Sequence, residues 1–558
     1  MPRLADPRRY GGVVPGRYDG GEALLDALLA AGIDVVFSSP GSEWAPVWEA
    51  LARRRRDSEA APAYHDLWHE TTAVGMATGY ALCSGRPAGV LLHAGAGLLQ
   101  GASAIHGGLL AGAPMLVCSS ESTTYGEGGG PDPGGQWYRN LSVVGGPHTL
   151  VTGYVKWANQ VGSVETLRGM TTRAVELARR APEGPVYLNV PLEVLLEPVE
   201  RRELRTTPPP GRRASPPDEI AAVARLLAEA ERPVVVTESA GRAEGGYDAL
   251  VELCELLALP VVEPHSAVCA NFPRDNPLHQ GAELGPFGNA DLIVLVNCRA
   301  PFYPPSNRPP EAAVVVIDDV PQRPHLVYQV LGADRYLEGD VGLTLAALAE
   351  EVRGARVDVS ERRRQLAASR RSPEPSKDGA ALLVDRLREA APAGTLVVDE
   401  TITHSRLLRA RLDGARDSYL YVQGGLGQGL PVALGAKYAA GERPVVLAVG
   451  DGAFLYNPVL PSLAASRDLA LPLVVVVFNN AQYLSMKLNH LRFYPDGAAV
   501  DTGDFRGVDL ATQPELSEFA APFGFHAENV RESAEFGPAL ERAFAAGTTA
   551  IVNVHLPK

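Results

Sequence analysis

Three polar side chains flank two apolar runs near the carboxyl terminus of the chain. Asp451 stands between Gly450 and Gly452 after the run VVLAV, and Asn479 and Asn480 end the run LPLVVVVF, 28 and 29 residues after the aspartate. Carboxylate, amide and backbone carbonyl oxygens are hard ligands that suit Mg²⁺, which usually also takes phosphate oxygens and water. Glycines let backbone N–H groups approach a diphosphate. These residue types at this spacing predict a site that anchors a diphosphate through Mg²⁺.

Both positions follow predicted strands. The runs 445–449 and 471–478 are short and apolar, as is typical of buried parallel strands. Between them, Asn457 followed by Pro458 predicts a helix start with the asparagine as its cap. Open α/β sheets bind ligands at the carboxyl ends of neighbouring strands. We therefore expect Asp451 and the two asparagines to meet at one sheet edge.

The same alternation of strands and helices fills the rest of the chain, which has 558 residues and 46% apolar content. Two stretches rich in proline and charge, 199–219 and 370–379, interrupt it as linkers do. The segment GMATGYALCSGRPAGVLL also resembles VALGAKYAAGERPVVLAV, which suggests two similar domains flanking a third. The pattern predicts an α/β protein of three domains, each with a mainly parallel sheet flanked by helices: residues 1–198, 217–355 and 378–558.

Composition argues against several classes of partner. A net charge of −14 and a pI of about 5.4 disfavour nucleic acid, whose protein footprint is usually basic. The basic run Arg53 to Arg56 is interpreted as a solvated helix end. Five scattered cysteines fit a reducing cytosol and predict a cytoplasmic protein without a disulfide or zinc framework. The uncharged stretch 88–118 is rich in glycine, so we expect a buried strand, turn and helix there and no membrane span.

The Gly-Asp-Gly and Asn-Asn pair resembles the cofactor motif of thiamine diphosphate (ThDP) enzymes. That family also needs a glutamate in an N-terminal domain, often after histidine, that hydrogen-bonds the aminopyrimidine ring and makes its amino group a base. Here His69 and Glu70 precede the helical pattern A-x-G-x-A-x-G-Y-A. His-Glu also opens a zinc-protease motif, but residue 73 is alanine where the second histidine belongs. The resemblance implies a catalytic Glu70 and the cofactors ThDP and Mg²⁺.

Three further segments narrow the resemblance to the branch of pyruvate oxidase, acetolactate synthase and benzoylformate decarboxylase. They are FSSPGSEWAPVWEAL, GPVYLNVPLEV and VQGGLGQGLPVALGAK. The last segment is similar to the dinucleotide-binding motif G-x-G-x-x-G, but its spacing is wrong. An NAD-dependent dehydrogenase is therefore a weaker interpretation. The resemblance implies pyrimidine-binding, central and diphosphate-binding domains in that order. It also implies a homo-oligomer, a dimer of active-site-sharing subunits that assembles to a tetramer, with ThDP between the first domain of one subunit and the third of another.

The resemblance assigns roles to individual residues. Leu426 would support the bent form of ThDP, and Gly424 would offer its carbonyl to the amino group. Thr401 lies at the end of the preceding strand. The predicted Mg²⁺ ligands are Asp451, Asn480 and Gln482. The full set of predicted cofactor contacts is Glu70, Thr401, Gly424, Leu426, Asp451, Gly452, Ala453, Asn480, Gln482 and Tyr483.

The substrate side resembles benzoylformate decarboxylase. His93 follows Glu70 by 23 residues, and Ser42 matches the serine of a P-G-S loop; both are predicted to be catalytic. Acetolactate synthases have T-S-G-P-G in place of this loop and lack this histidine. The alternative that His93 is a purely structural residue at a strand end stays open. The second histidine expected in the central domain is not found, and neither is a flavin fingerprint. The glycine-rich loop 121–140, with Gln136, Trp137 and Tyr138, is predicted to shape an acceptor pocket.

The leading hypothesis is a ThDP- and Mg²⁺-dependent 2-oxo acid decarboxylase or carboligase. Its partners would be a small 2-oxo acid donor and, for ligation, a carbonyl acceptor. The alternatives are an acetolactate synthase-like transferase that joins two 2-oxo acids, and a catalytically silent paralogue that binds ThDP or a partner. Intact Glu70, Asp451 and Asn480 argue against the silent paralogue. We further predict that a suitable acceptor is ligated faster than free aldehyde is released.

Overall fold

The computed structural model describes residues 18–127, 131–134, 143–203, 205–302, 305–323, 332–354, 357–369, 376 and 379–557. These residues form three sheets in which all paired strands are parallel. The predicted fold class is therefore confirmed. In the described part of the chain, no helix combines the length and apolar character needed to cross a membrane.

The N-terminal sheet has six strands in the order β2-β1-β3-β4-β6-β5. Four of them are buried along their whole length, as their branched apolar residues require. The strands are β1 Val35–Ser39, β2 Ala63–Asp66, β3 Ala88–Leu92, β4 Met115–Ser119, β5 Ala158–Gln160 and β6 Pro185–Asn189. The helices are α1 Gly20–Ala30, α2 Ala45–Asp57, α3 Glu70–Ser84, α4 Ala96–Ala111, α5 Pro147–Val151, α6 Val164–Arg179 and α7 Leu192–Leu196.

The central sheet has five strands in the order β11-β10-β9-β7-β8. Its core is built from the valines and leucines of β7, β9 and β10 together with the inner faces of the surrounding helices. The strands are β7 Pro233–Thr237, β8 Val261–Val262, β9 Leu292–Val296, β10 Ala313–Asp318 and β11 Arg335–Glu338. The helices are α8 Pro217–Glu229, α9 Gly246–Leu257, α10 Val341–Gly354 and α11 Ser360–Ser369.

The C-terminal sheet repeats the topology of the N-terminal one, with the order β13-β12-β14-β15-β17-β16. The similarity between the two sequence segments therefore reflects a shared strand order. The strands are β12 Leu396–Glu400, β13 Tyr419–Tyr421, β14 Val445–Gly450, β15 Val474–Asn479, β16 His526–Val530 and β17 Ala550–His555. The helices are α12 Gly379–Ala390, α13 Ser405–Arg411, α14 Gly429–Ala440, α15 Asp451–Tyr456, α16 Val459–Asp468, α17 Leu484–Phe493, α18 Ala498–Thr502 and α19 Phe536–Ala545.

The chain groups into two compact units. The first contains residues 1–210, 423–442 and 456–471, and the second contains 211–422, 443–455 and 472–558. The first unit thus combines the N-terminal sheet with α14 and α16, and the second holds the central and C-terminal sheets. The three domain boundaries drawn from the sequence stay a prediction.

Small residues bring α3 and α14 together inside the first unit. A Cβ atom added at Gly79 would lie 2.0 Å from the carbonyl oxygen of Val432, and one added at Gly435 would lie 2.0 Å from that of Met76. Larger residues at either glycine would push the two helices apart. These helices are the ones whose sequences, GMATGYA and VALGAKYA, resemble each other.

The interpretation of Arg53 to Arg56 as a solvated helix end is wrong for its first two members. Arg54 is 1% exposed and pairs with Glu22 at 2.7 Å and Asp26 at 2.6 Å. Arg53 pairs with Asp19 at 2.8 Å. The partners lie on or just before α1, which the local sequence around the arginines does not show. The run instead ties α2 to α1 through buried ion pairs.

Candidate functional site

Asp451 lies at the carboxyl edge of the C-terminal sheet, where β14 runs directly into α15. The residue is 3% exposed, and its Oδ1 accepts a hydrogen bond from the Gly452 N–H at 2.9 Å. Burial raises the pKa of Asp451, while the N–H groups of Gly452, Ala481 and Gln482 act in the opposite direction. Among the described residues Asp451 forms no ion pair. A buried carboxylate of this kind needs a cation or more donors, so the position suits a metal ion.

The two asparagines after β15 have different environments. Asn479 Oδ1 accepts from the Ala481 N–H at 3.0 Å, and its Nδ2 donates to Asn553 Oδ1 at 2.9 Å. Asn480 Oδ1 accepts from the Gln482 N–H at 3.2 Å. The amide of Asn479 is thus engaged within the sheet edge at both ends, whereas Asn480 is held through one contact to its oxygen. This favours Asn480 as the metal ligand of the pair.

Three buried polar atoms near this edge have no hydrogen-bond partner among the described residues. They are Gln482 Nε2, Gln513 Oε1 and His404 Nε2. Leaving such a group unsatisfied costs about 1–3 kcal/mol, so a bound molecule that supplies donors and acceptors fits here. No described group of three or more His, Cys, Asp or Glu residues could hold a metal. An ion at Asp451 would therefore depend on amide, carbonyl and phosphate oxygens, which are typical Mg²⁺ ligands.

His404 is a candidate that the sequence reasoning missed. It directly precedes α13, and its ring centroid lies 5.5 Å from that of Phe478, near the end of β15. Burial lowers the pKa of His404, which favours the neutral imidazole, a hydrogen-bond donor at one ring nitrogen. Its place after strand β12 is a signal that the strand-end rule could have used.

Gly452 is required by a close approach. A Cβ atom added there would lie 2.5 Å and 2.6 Å from two ring carbons of Tyr483. The next residue, Ala453, is buried. Gly452, Ala453 and Tyr483 therefore lie together beside Asp451, and their contact with the cofactor stays a prediction.

The side chains of Thr401 and Asn457 are both engaged in hydrogen bonds. Thr401 is buried, and both its N–H and its Oγ1 donate to Asp399 Oδ1, at 2.8 Å and 2.7 Å, so these two donors are already engaged. The prediction that Asn457 caps the helix that follows it is wrong: α16 begins at Val459, and Asn457 Oδ1 accepts from the Leu430 N–H at 2.9 Å. The asparagine is used to hold the start of α14, a contact that the local sequence cannot reveal.

A second cluster forms in the first unit around Glu70. The residue begins α3, and the preceding His69 caps the helix by accepting from the Thr71 N–H at 3.1 Å. A Cβ atom added at Gly97 would lie 2.9 Å from Glu70 Oε1 and 2.8 Å from His93 Cβ. Glycine at position 97 therefore allows Glu70 and His93 to share one small space.

The ring of His93 is held by a buried carboxylate. His93 Nδ1 lies 2.9 Å and 3.1 Å from the two oxygens of Glu43, whose side chain is fully buried while that of His93 is 26% exposed. The Ala94 N–H also donates to Glu43, at 2.9 Å. The hydrogen bond to Glu43 raises the pKa of His93, against the effect of burial, and the charges of Glu43 and Glu70 add to this rise. His93 therefore has the partner of an acid–base residue, and the sequence reasoning missed Glu43.

The loop that carries Ser42 is fixed by its neighbours. Trp44 is fully buried, and its Nε1 donates to the Leu92 carbonyl at 2.9 Å, which ties the loop after β1 to the end of β3. A Cβ atom added at Gly41 would lie 1.9 Å from His93 Nδ1. Ser42 is exposed between this glycine and Glu43. The structure thus places Ser42 in the loop that packs against His93.

The glycine-rich turn before α14 also lies in the first unit. Gly424 has φ +94°, and a Cβ atom there would lie 2.3 Å from the Cα of Gly107. Gln428 Nε2 donates to the Ser103 carbonyl at 3.2 Å and lies 3.4 Å from the Gly424 carbonyl. Leu426 is half-buried. The predicted acceptor-loop residues Gln136, Trp137 and Tyr138 lie outside the described residues.

Comparison with known proteins identifies the family. Residues 18–141 match the thiamine pyrophosphate enzyme N-terminal TPP binding domain, 220–348 match the central domain, and 404–554 match the C-terminal TPP binding domain. The protein named "Probable 2-ketoarginine decarboxylase AruI" from Pseudomonas aeruginosa is 31% identical over 483 residues, 82% of each chain. Benzoylformate decarboxylase from the same species is 26% identical over 556 residues, 95% of this chain and 98% of the relative. Acetolactate synthase from Bacillus subtilis is 23% identical over 564 residues, 96% and 92%.

Solved structures show the same fold. The structure of benzoylformate decarboxylase from Polynucleobacter necessarius has a TM-score of 0.81 at 22% identity and covers 97% of this chain and 99% of its own. A 4-hydroxybenzoylformate decarboxylase from Rhodococcus jostii has a TM-score of 0.78 at 24% identity, with 97% and 99% covered. The chain belongs to the ThDP-dependent enzymes, in the family of decarboxylases and acetolactate synthases. The family and the order of its three domains were therefore predicted correctly from the sequence.

Proposed function

We propose that the protein is a ThDP- and Mg²⁺-dependent enzyme that decarboxylates a small 2-oxo acid and, with an acceptor, forms an α-hydroxyketone. The observation that carries the proposal is His93 held by buried Glu43 beside Glu70. Support comes from the two Pseudomonas aeruginosa relatives, whose names give 2-oxo acid decarboxylation as their activity.

In this proposal the C-terminal edge holds the cofactor. Asp451, Asn480 and Gln482 bind Mg²⁺, and the buried Asp451 carboxylate supplies the charge that the ion needs. Gly452, Ala453 and Tyr483 line the diphosphate, and His404 offers its buried Nε2 to it. When bound, ThDP would supply a nucleophilic carbon and an electron sink for decarboxylation.

The carboxyl edge of the N-terminal sheet is the proposed site of proton transfer. Glu70 hydrogen-bonds the aminopyrimidine ring and holds a proton there, which is the role that its place at the start of α3 and beside His93 supports. The Gly424 carbonyl would accept from the amino group of the cofactor, and Leu426 would support its bent form. This division requires Glu70 for proton transfer and Asp451 for binding.

His93 serves as the acid for the substrate-derived carbon. Glu43 accepts a hydrogen bond from Nδ1–H of the ring, and in this proposal Nε2 carries the proton toward the substrate. Because Glu43 raises the pKa of His93, more of the imidazole is protonated near neutral pH than in a free histidine. Ser42, in the adjacent loop, binds the substrate carboxylate or carbonyl in this proposal.

The assembly follows from the same hypothesis. ThDP would be held by the first domain of one subunit and the third of another, so the active enzyme would be a homo-oligomer with shared sites. Sedimentation of the protein with and without ThDP and Mg²⁺ tests this: a monomer that turns over substrate would rule out shared sites.

One experiment tests the proposed activity. The protein is incubated with ThDP, Mg²⁺ and a panel of 2-oxo acids with aromatic, aliphatic and cationic side chains, each with and without an aldehyde acceptor. We expect carbon dioxide with at least one acid, and more hydroxyketone than aldehyde when an acceptor is present. Joining of two 2-oxo acids in preference to an aldehyde would favour the transferase alternative. ThDP binding without any turnover would leave the silent paralogue.

A further inference from the structure

A glutamine from a distant loop reaches the proposed metal site. Gln513 Nε2 donates to Asn479 Oδ1 at 2.8 Å and lies 3.4 Å from Asp451 Oδ2. One amide group therefore spans the ends of β14 and β15. Asp451 Oδ1 already accepts from the Gly452 N–H, so Gln513 restrains the second carboxylate oxygen.

The loop that carries Gln513 is bonded to the loop that carries the proposed ligands. The Tyr483 N–H donates to the Val508 carbonyl at 2.8 Å, and the Leu510 N–H donates to the Ala481 carbonyl at 2.9 Å. The Gln513 N–H in turn donates to the Leu510 carbonyl at 3.0 Å. Backbone pairing thus sets the position of Gln513 relative to the 480–483 loop.

A chain of polar side chains extends from this glutamine along the sheet edge. Asn479 Nδ2 donates to Asn553 Oδ1 at 2.9 Å, and Asn553 Nδ2 donates to Glu515 Oε2 at 3.1 Å. His555 Nε2 lies 2.9 Å from the same Glu515 oxygen. The ends of β14, β15 and β17 are therefore cross-linked by side chains, with Gln513 as the member that reaches Asp451.

We propose that Gln513 is a positioning residue for the Mg²⁺ site: through its contacts with Asn479 Oδ1 and Asp451 Oδ2 it fixes the Asp451 carboxylate relative to the end of β15, so that the remaining lone pairs of that carboxylate face the ion. This rests on the proposed function, because Asp451 must hold Mg²⁺ for the orientation to matter. It also gives Asn479 a role separate from that of Asn480. Residues that orient metal ligands typically change metal affinity by about 10–100-fold when they are removed.

The test measures Mg²⁺ affinity, with a fixed excess of ThDP, in the parent, Gln513→Met and Gln513→Asn. Methionine keeps the length and loses the donor; asparagine keeps the amide and is one methylene too short to span both acceptors. We expect the Kd for Mg²⁺ to rise about 10–100-fold in both variants. At saturating Mg²⁺ the kcat should return to near the parental value. Gln280→Met, beside β8 of the central sheet, is the matched control and should keep the parental Kd.

The outcomes separate this inference from the proposed function. A parental Kd in either Gln513 variant overturns the inference. So does a lower melting temperature without ligands together with a kcat that Mg²⁺ cannot restore, which is the signature of a purely structural role. If the parent itself binds ThDP with no dependence on Mg²⁺, or if Asp451→Ala binds as the parent does, the proposed metal site fails instead.

Discussion

The N-terminal and C-terminal sheets share one strand order but carry different chemistry at their carboxyl edges. The first edge carries two carboxylates and an imidazole, in Glu43, Glu70 and His93. The second carries one buried carboxylate among amides, in Asp451 and its neighbours. The first arrangement can move protons, and the second can hold a cation and an anion. The same topology thus supports two functions because the residues that follow the strands differ.

Both edges depend on glycines that permit close contact. At the first edge, Gly41 and Gly97 make room for His93 and for Glu70; at the second, Gly452 makes room for the ring of Tyr483. None of these three has the positive φ that would demand glycine on backbone grounds. Their role is steric, and it brings side chains from separate strands together.

The largest expected effect separates cofactor binding from catalysis. Asp451→Ala should abolish the stabilisation by ThDP and Mg²⁺, because the diphosphate would lose its cation. A ligand at 100 times its Kd stabilises a protein by about 2.7 kcal/mol, which is readily seen as a rise in melting temperature. The check is a thermal melt with and without both ligands. An undiminished rise in the variant would remove Asp451 from the site.

Glu70→Gln should leave binding intact and slow proton transfer. The amide cannot share a proton with the ring nitrogen, and positioned acid–base groups contribute about 10²–10⁴-fold in rate. Exchange of the ThDP C2 proton for deuterium, stopped with acid and read by NMR, measures this directly. Exchange at the parental rate would contradict the assignment of proton chemistry to the first edge.

His93→Ala should lower aldehyde release by about 10²-fold and ligation by less, because only release needs a proton at carbon. The ratio of hydroxyketone to aldehyde, measured by mass spectrometry, should therefore rise. Equal losses in both products would make His93 a structural residue, which is the alternative left open by the sequence.

Glu43→Gln should shift the pH dependence of aldehyde release. Glu43 raises the pKa of His93, so the protonated imidazole persists to higher pH in the parent. Without that carboxylate the pKa of His93 should be lower, so the loss of activity with rising pH should begin at a lower pH than in the parent. Activity in acid should stay close to that of the parent. The measurement is kcat against pH for both proteins; an unshifted alkaline limb would contradict the pairing.

The smallest effects concern the glycines. Gly452→Ala and Gly97→Ala each place a methyl group within 3 Å of another side chain. Overpacking of this kind typically lowers the free energy of unfolding by about 1–3 kcal/mol, so both variants should have lower melting temperatures. We expect Gly452→Ala also to weaken ThDP binding and Gly97→Ala to slow C2 exchange. If Gly452→Ala slowed C2 exchange and Gly97→Ala weakened ThDP binding, the assignment of binding to one edge and proton transfer to the other would be contradicted.

Much of the fold follows from local sequence patterns. Apolar runs located β14 and β15, and the rule of strand ends put Asp451 beside the asparagines, where the structure has them. The same rule could have identified His404, which follows β12. In contrast, the engaged amide of Asn479 depends on Gln513 and Asn553, which are far along the chain.

The remaining features depend on contacts between distant segments. Glu43 is one of many glutamates in the sequence, and it becomes distinct only because β1 and β3 are neighbours and Gly41 lets the His93 ring approach. Arg54 is buried because α1 presents Glu22 and Asp26 to it. The spacing of residues along the chain does not reveal such partners, because a carboxylate that stays exposed can have the same local sequence pattern as one that is buried in an ion pair.

The central claim is that the two edges divide binding from proton transfer, and calorimetric titration of ThDP in the presence of Mg²⁺ tests it most directly. The titration compares the parent with Asp451→Ala and Glu70→Gln under the same conditions. We predict a Kd for Glu70→Gln close to that of the parent and no measurable binding for Asp451→Ala. Parental binding by Asp451→Ala, or equal loss of binding in both variants, would contradict the account.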